Sequence, residues 1–363
     1  MKSLDALLAS TSFSDEEIVY LLSLALPSEV QKLQRAAYNV ATDEIGETVY
    51  YRGLVEFSNI CAMDCHYCGI RKSNRNIERY CLTQDDVVES ALWCARAGYG
   101  SCVLQSGERH DPRFVRFVEE CIKEIRRSSV SEALPQGLGV TLSLGEHPLE
   151  AYQTWRNAGA HRYLLRIETT NQKIFEKIHP STQRFEERIL ALRNVREAGF
   201  HVGTGVMIGL PEQTLEDLCA DIRFFVEQDV DMIGMGPYIV SQGGAMIERG
   251  MMDKEPLLQL ALNMIAVTRL VLRDVNIAST TALQALTHDG REKGILYGAN
   301  IIMPNITPRD VRKNYQLYEG KPCLDEGRGE CRGCLERRVI STGRCVGWNE
   351  WGDSRHFRKR TVS

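Results

Sequence analysis

Chemistry in this chain starts at Cys61-Ala-Met-Asp-Cys65-His-Tyr67-Cys68. The three thiols follow a β-like run, residues 49–57. Soft thiolate ligands suit iron–sulfur clusters or zinc. A four-iron cluster usually takes four cysteines, and here the local set stops at three. Such a set leaves one iron with an open coordination site, as a catalytic metal requires. The bland alternative is a zinc knuckle short of one ligand, or scattered buried cysteines. A second group, Cys323-x7-Cys331-x2-Cys334, is surrounded by glycines and charges. It reads as a metal site, open to zinc or to a second iron–sulfur cluster, with Cys345 as a candidate fourth ligand. Cys81, Cys94, Cys102, Cys121 and Cys219 have no ligand spacing. Cys94, Cys121 and Cys219 fall in helical patterns and read as packing residues. The eight histidines have no partner spacing and none is assigned to catalysis.

The elements that must position these residues alternate β and α. Strands are predicted at 49–57, 101–106, 138–144, 162–168, 201–208, 231–237, 276–281 and 299–303, with helical patterns between. Thr83-Gln-Asp-Asp86 and Thr214-Leu-Glu-Asp217 open two of those helices. Eight β/α units in this order predict an α/β fold with a complete parallel (β/α)8 TIM barrel over 49–305. Residues 1–48 read as helices, with Ser14-Asp-Glu-Glu17 as a capping box. They are expected to close the bottom of the barrel. Residues 306–363 form a C-terminal, cysteine-bearing extension whose basic tail from Trp348 is expected on the surface.

Side chains alternate faces along a strand. One face of 162–168 carries Arg162, Leu164, Arg166 and Glu168, and the other Tyr163, Leu165 and Ile167. The same parity sets Thr141 and Ser143 against Val140, Leu142 and Leu144, and Arg52 and Glu56 against Tyr51, Val55 and Phe57. The outer face of a barrel packs on helices and must be apolar, so the polar face points into the lumen. Barrel lumens are ordinarily filled with branched apolar side chains. Buried charges need partners. The lumen therefore holds either an internal salt-bridge network or an enclosed cavity for a small polar or anionic ligand. Glycines at 203, 205, 234 and 236 leave space and favour the cavity.

The whole chain sets outer limits. It has 363 residues, 43% hydrophobic and 25% charged, with a net charge of −4. That is ordinary globular composition, with no basic footprint for nucleic acid or an anionic membrane. No apolar run reaches the length of a membrane span, and the N-terminus lacks a signal-peptide pattern. Twelve cysteines in such a chain suggest reduced thiols and metal, and a cytoplasmic location.

The spacing CxxxCx(aromatic)C resembles the radical S-adenosylmethionine (SAM) signature. Further runs resemble HydE, the radical SAM maturase family of FeFe-hydrogenase. They include Val55-Glu-Phe-Ser-Asn-Ile-Cys61, Leu104-Gln-Ser-Gly-Glu108, Val140-Thr-Leu-Ser-Leu-Gly-Glu146 and Arg162-Tyr-Leu-Leu-Arg-Ile-Glu168. Ala278-Ser-Thr-Thr-Ala282, Gly298-Ala-Asn-Ile-Ile-Met-Pro-Asn305 and Tyr315-Gln-Leu-Tyr318 continue the likeness, which covers about residues 50–352. The resemblance implies a radical SAM barrel in which Cys61, Cys65 and Cys68 ligate a 4Fe–4S cluster and SAM completes it. Reductive cleavage of SAM then gives a 5′-deoxyadenosyl radical. Tyr67 would lie beside the cofactor, Glu168 would contact SAM, and Arg188 would face its methionine carboxylate. Gln105, Ser106 and Ser143 would be polar cofactor or cavity contacts. Arg52, Thr141, Arg162, Met232, Thr280, Thr281, Tyr315 and Tyr318 would wall the substrate cavity. Cys323, Cys331 and Cys334 would hold an accessory cluster of 2Fe–2S or 4Fe–4S type. The implied substrate is a cysteine-bearing iron–CO–cyanide complex supplied by HydG, with HydF as the next partner and a ferredoxin or flavodoxin as electron donor. One departure is the loop Tyr238–Met246, where relatives often carry a Pro-x-Thr-Pro-like sequence.

Two readings compete. A methylornithine synthase-like radical SAM mutase acting on lysine would share the barrel and the first cysteine motif. An iron–sulfur electron carrier or cluster scaffold would need no eight-unit barrel with a polar lumen, and would ordinarily complete its cluster with a fourth cysteine.

Overall fold

Local signals in the chain place its helices where the caps direct. The computed structural model describes residues 2–362, apart from the side chains of Glu330, Cys331 and Val362. Capping boxes form at Ser14, Thr83 and Thr214, each hydroxyl accepting from the backbone N–H three residues on. A cap of this kind contributes about 1 kcal/mol. In the helix Pro112–Ser128, Asp111 accepts from Phe114 N at 3.0 Å, and Pro112 needs no N–H partner in the first turn. That helix buries Phe114, Val118, Cys121, Ile122 and Ile125, one stripe at helical spacing.

Eleven short strands follow in chain order. They are β1 (Thr48–Ser58), β2 (Ser101–Ser106), β3 (Gly139–Ser143), β4 (Arg162–Leu164), β5 (His201–Thr204), β6 (Met207–Ile208), β7 (Met232–Ile233), β8 (Gly236–Pro237), β9 (Asn276–Ile277), β10 (Ile301–Ile302) and β11 (Cys345–Val346). Eight of them form a curved parallel sheet in the order β10-β1-β2-β3-β4-β5-β7-β9. A parallel bridge joins Ala278, just past β9, to Ile301 of β10. Hydrogen bonds from Asn300 N to Ile277 O (2.9 Å) and from Ser279 N to Ile301 O (2.8 Å) flank it. No helix among the described residues is long and apolar enough to cross a membrane.

The first three predicted strands form within one residue of their expected limits, and the later ones are shorter. The runs 201–208 and 231–237 each split in two, giving β5 and β6, and β7 and β8. The split falls where two backbones touch: a Cβ on Gly205 would lie 2.1 Å from Gly234 O. The run 162–168 stops at Leu164, and that predicted at 276–281 stops at Ile277, with Thr281 opening a helix. Outward parity holds: Tyr51, Val55, Phe57, Val140, Leu142, Leu144, Tyr163, Leu165 and Ile167 are all buried in the apolar layer.

Two expectations for the chain ends need correction. The N-terminal helices do not close the lower end of the curved sheet but pack against the helices outside it. Asn263 of the helix Lys254–Val271 donates to Leu22 O and Leu24 O at 3.1 and 2.8 Å, and Arg223 pairs with Asp15 at 2.7 Å. Closure comes instead from the C-terminal stretch expected on the surface. β11 pairs with the start of β1, Thr48 opposite Cys345. Residues 349–353 then run beneath the N-terminal ends of the strands: Asn349 N donates to Gly98 O at 2.7 Å and Ser101 Oγ to Trp351 O at 2.9 Å. Trp351 Nε1 donates to Gly137 O at 2.8 Å and Asn276 Nδ2 to Gly352 O at 2.8 Å.

Candidate active site

The cysteine loop leaves β1 and is shaped from within by one carboxylate. Asp64 accepts from Arg71 Nε (2.9 Å) and Nη2 (3.2 Å), and from Ser73 N (2.9 Å) and Oγ (2.8 Å). Neighbouring elements take up the loop's backbone groups. Ala62 N donates to Glu108 O at 2.8 Å, His66 N to Ile178 O at 2.8 Å and Gly69 N to Leu317 O at 3.0 Å. Gly107 must be glycine here, because a Cβ would sit 2.4 Å from Ile60 O.

Cys61, Cys65 and Cys68 line one cavity of about 1630 Å³, counting the part open to solvent. Burial raises the pKa of all three thiols, that of Cys68 to about 12. Mutual repulsion adds to the rise, since Cys65 feels both Cys68 and Cys61. Three thiols this close titrate together only when a cation compensates them, and metal binding displaces their protons. Among the described residues no three His, Cys, Asp or Glu side chains converge on a single metal ion. A cluster does not require that, because each thiolate binds a different iron. The donor set therefore fits a cluster held by three cysteines.

The remaining cavity wall comes from the C-terminal ends of the strands, where barrel enzymes build their sites. Tyr67 OH donates to Glu168 Oε1 at 3.3 Å. Glu168 has φ of 68°, an uncommon conformation for a non-glycine residue, held by Glu168 N to Gly205 O (3.0 Å) and Met207 N to Glu168 O (2.9 Å). Arg166 Nη2 forms an ion pair with Glu168 Oε2 at 3.0 Å while donating its hydrogen bond to Val206 O, so Oε2 has no hydrogen-bond partner. Arg188 is buried, with Nε donating to Glu146 Oε1 at 2.5 Å and Nη1 to Arg166 O. Burial works against its charge, yet Glu146, Tyr67 and Glu108 outweigh burial and raise its pKa. Gln183 joins this group to the cysteines, donating to Glu146 Oε1 at 3.1 Å and accepting from Cys65 Sγ at 3.3 Å.

Gln105, Ser106, Ser143, Thr280, Thr281, Tyr315 and Tyr318 line the same cavity. Gln105 Nε2 donates to Tyr315 OH at 3.3 Å, and Tyr318 bonds Thr281. The Thr280 hydroxyl is buried without a hydrogen-bond partner.

The other residues expected on the substrate wall lie lower. Arg52, Thr141 and Met232 line a smaller cavity beneath the first, about 370 Å³ on the same open count but with only about 30 Å³ that would admit water, and Val103, Leu164, Gly234 and Met303 are common to both. Arg162 lines neither and must be corrected. It is fully buried, and every guanidinium nitrogen is engaged: Nε with Thr141 Oγ1 (2.9 Å), Nη2 with Ser101 Oγ (2.5 Å), and Nη1 with Trp351 O (3.1 Å) and Asp353. The two readings of the polar lumen thus both hold, at different depths: a salt-bridge network below and a cavity above.

Several residues at the site escaped the sequence reading. Glu56 is buried against Lys321, which also donates to Tyr315 O at 2.8 Å. Glu108 and Glu146 sit just past β2 and β3 as Glu168 does past β4. A carboxylate following each of three consecutive strands was a legible signal. Lys321 carried none, because its partner lies on the opposite end of the chain.

Of the second cysteine group, Cys323 and Cys334 both face Arg338, and Arg291 Nη2 lies 3.8 Å from Cys323 Sγ. The side chain of Cys331 lies outside the described residues. Cys345 is exposed on β11 with Thr48 Oγ1 at 3.8 Å and Glu47 O at 3.7 Å.

Comparison with known proteins follows this geometry. The profile of the radical SAM superfamily matches residues 55–225. The chain is similar to the [FeFe] hydrogenase maturase subunit HydE of Thermotoga maritima, 39% identical over 94% of this chain and 93% of that one. It is 28% identical to a 3-methylornithine synthase of Methanosarcina acetivorans, over 82% of this chain and 81% of that one. Among solved structures, methylornithine synthase (PylB) superposes with a TM-score of 0.79 at 25% identity, covering 99% of both chains. The maturase HydG of Carboxydothermus hydrogenoformans superposes with a TM-score of 0.80 at 19% identity, over 98% of this chain and 81% of that one, a likeness of fold alone.

Proposed function

The chain belongs to the HydE family of radical SAM enzymes, and from that premise we propose that it acts on a cysteine-bearing iron–CO–cyanide precursor during assembly of the FeFe-hydrogenase active-site cluster. The observation that carries this reading is one cavity shared by three cysteine thiols, the Tyr67–Glu168 pair and the unpartnered hydroxyl of Thr280. Family membership implies a 4Fe–4S cluster and SAM, which together supply an electron and a 5′-deoxyadenosyl radical.

The chain's own residues do the positioning. Cys61, Cys65 and Cys68 would hold the cluster. Glu168, pinned by its backbone and by Tyr67, presents Oε2, ion-paired with Arg166 but without a hydrogen bond, as an acceptor for SAM hydroxyl or ammonium protons. Arg188, oriented by Glu146, supplies the cationic counterpart for a carboxylate. Gln105, Ser106 and Ser143 line the space between these groups and the strands. Thr280, Thr281, Tyr315 and Tyr318 offer hydroxyls to the substrate, with Arg52, Thr141 and Met232 beneath them. Residues 315–321 cross the mouth, tied to the cysteine loop at Gly69 and to Val240 through Glu319 N (3.0 Å). This cover would exclude water from a reactive intermediate.

The same reading takes the curved sheet as a complete (β/α)8 barrel over 49–305, supported by the Ala278–Ile301 bridge, with residues 1–48 and 306–363 as its outer clasp and lower closure. It places the protein in the cytoplasm, between HydG as supplier and HydF as acceptor, with ferredoxin or flavodoxin as reductant. Cys323, Cys331 and Cys334 would hold a second cluster. The decisive measurement is anaerobic 5′-deoxyadenosine formation with the iron complex or with lysine. Stimulation by the iron complex supports the maturase. Stimulation by lysine with methylornithine as product replaces it with the mutase, the reading to which the likeness to 3-methylornithine synthase points.

A further inference from the structure

Arg79 stands outside the cysteine motif, eleven residues past its end and on no strand or helix. Its guanidinium nevertheless donates to four backbone carbonyls around that motif. Nη1 reaches Asn59 O at 2.6 Å and Ile70 O at 2.7 Å, and Nη2 reaches Arg71 O at 2.6 Å and Asn74 O at 3.0 Å. Asn59 precedes Cys61, and the other three carbonyls follow Cys68. One planar fork therefore ties the two ends of the cysteine loop together from outside, while Asp64 ties its interior. The neighbouring chain is built to hold the fork still: Asn59 Nδ2 donates to Glu78 O at 2.7 Å, and Tyr80 N donates to Asn59 Oδ1 at 2.8 Å. Two of these carbonyls, on Asn59 and Ile70, stand two residues from Cys61 and Cys68, so the guanidinium charge is held against the back of the cysteine loop. A fixed cation beside two thiolates offsets their repulsion and that of the extra electron on a reduced cluster.

We propose that Arg79 is a positioning residue for the cluster, closing the Cys61–Cys68 loop through its four carbonyl contacts and raising the cluster's reduction potential through its charge. This rests on the assignment of those three cysteines as the cluster ligands. The two parts of the role separate by substitution. Arg79→Lys keeps the charge but cannot span four carbonyls, because an ammonium is a compact donor on a flexible stem. Arg79→Gln loses both.

The experiment uses the full chain reconstituted anaerobically with iron and sulfide. Three readings are taken: iron and sulfide per chain, the rate of iron loss to a chelator, and the midpoint potential from EPR-monitored titration. Arg79→Lys is expected to lose iron about tenfold faster at a potential close to wild type, since hydrogen bonds to a charged group are worth about 1.5–3 kcal/mol. Arg79→Gln is expected to lose iron faster still and to titrate at a lower potential, because net charge near the sulfurs sets cluster potentials. Chelator rates equal to wild type in both variants would overturn the inference, as would an unchanged potential in Arg79→Gln. If Arg79→Gln does not fold, Arg79→Lys decides: unchanged iron loss overturns the loop-closing role. A wild-type chain that binds no SAM-responsive cluster would instead overturn the assignment of the three cysteines.

Discussion

The upper and lower halves of the lumen are built from the same alternation of residues and end in opposite states. Below, Arg162 spends every guanidinium nitrogen on Thr141, Ser101, Trp351 and Asp353. Asp353 also accepts from His161 Nε2 at 3.1 Å, and although burial opposes its charge, His161 and Arg162 hold its carboxyl well below the usual range. Above, Glu168 Oε2 and Thr280 Oγ1 are buried without hydrogen bonds. Buried polar groups are ordinarily paired. A hydroxyl such as that of Thr280, unpaired and facing a cavity, marks where a ligand belongs, while a saturated group such as Arg162 marks structure; Glu168 Oε2 keeps only its ion pair with Arg166. Lumen polarity alone does not separate Arg162 from Thr280; partner saturation does, although Arg52 Nε and His161 Nδ1 below are also without hydrogen bonds.

This contrast can be broken most sharply at the top. Cys65→Ala should abolish both the SAM-binding iron site and 5′-deoxyadenosine formation, read by iron content, EPR and product analysis. A variant that still forms a normal cluster and cleaves SAM would end the site assignment. At the bottom, Asp353→Ala leaves Arg162 and Arg52 buried without their carboxylate. It should cost about 3–5 kcal/mol of stability, seen as a lower midpoint in urea, while the folded fraction keeps its SAM cleavage. Equal stability to wild type would mean the lower network is ornamental.

Thr280→Val tests the contrast from the other side. Removing an unpartnered buried hydroxyl should leave Tm unchanged or slightly raised, because no protein hydrogen bond is lost. Turnover of the iron complex should fall about tenfold, the equivalent of roughly 1.4 kcal/mol, with substrate-free SAM cleavage unaffected. A lower Tm with full turnover would reverse the assignment.

The smallest effect concerns the tail helix, Arg355–Val362. His356 bonds Asp274 (3.0 Å) and Asp229 (2.6 Å). The Asp274 bond, then that to Asp229, overcome burial and raise its pKa to about 8. Its folded pKa exceeds the unfolded value of about 6.5, so the proton is bound more tightly in the folded chain. The resulting stability, on the order of 1–2 kcal/mol, is full below about pH 6.5 and is lost as pH rises through 8. Urea midpoints at pH 6.5 and 9 should differ accordingly, and His356→Gln should flatten the difference.

Much of this molecule was legible in its residues, for reasons that differ by region. The cysteine triad is local, so spacing alone exposed it. Strands β1 to β3 were read closely because their alternation runs five residues or more. The later strands are only two to four residues long, too short for a period to declare itself. Arg162 was read as a cavity residue because parity reports which way a side chain points but not what it meets. Its partner Asp353 lies 191 residues away, in a tail whose basic composition suggested surface. Lys321 and Glu56, 265 residues apart, were hidden by the same distance.

The placement of residues 351–353 has a consequence for how the chain is made. β1 emerges early from the ribosome, yet one edge of it must wait for residues 301–302 and 345–346. The arginines at the floor of the lumen wait longer still, for Asp353. Until Asp353 is in place, a nascent chain carries Arg52 and Arg162 beneath the curved sheet without the carboxylate that offsets them. Domains generally fold from the N-terminus as they are synthesised; here Arg162 waits for a partner 191 residues further on. A chain cut before residue 353 should therefore leave these arginines buried without their carboxylate and be more open to proteases than the full sequence.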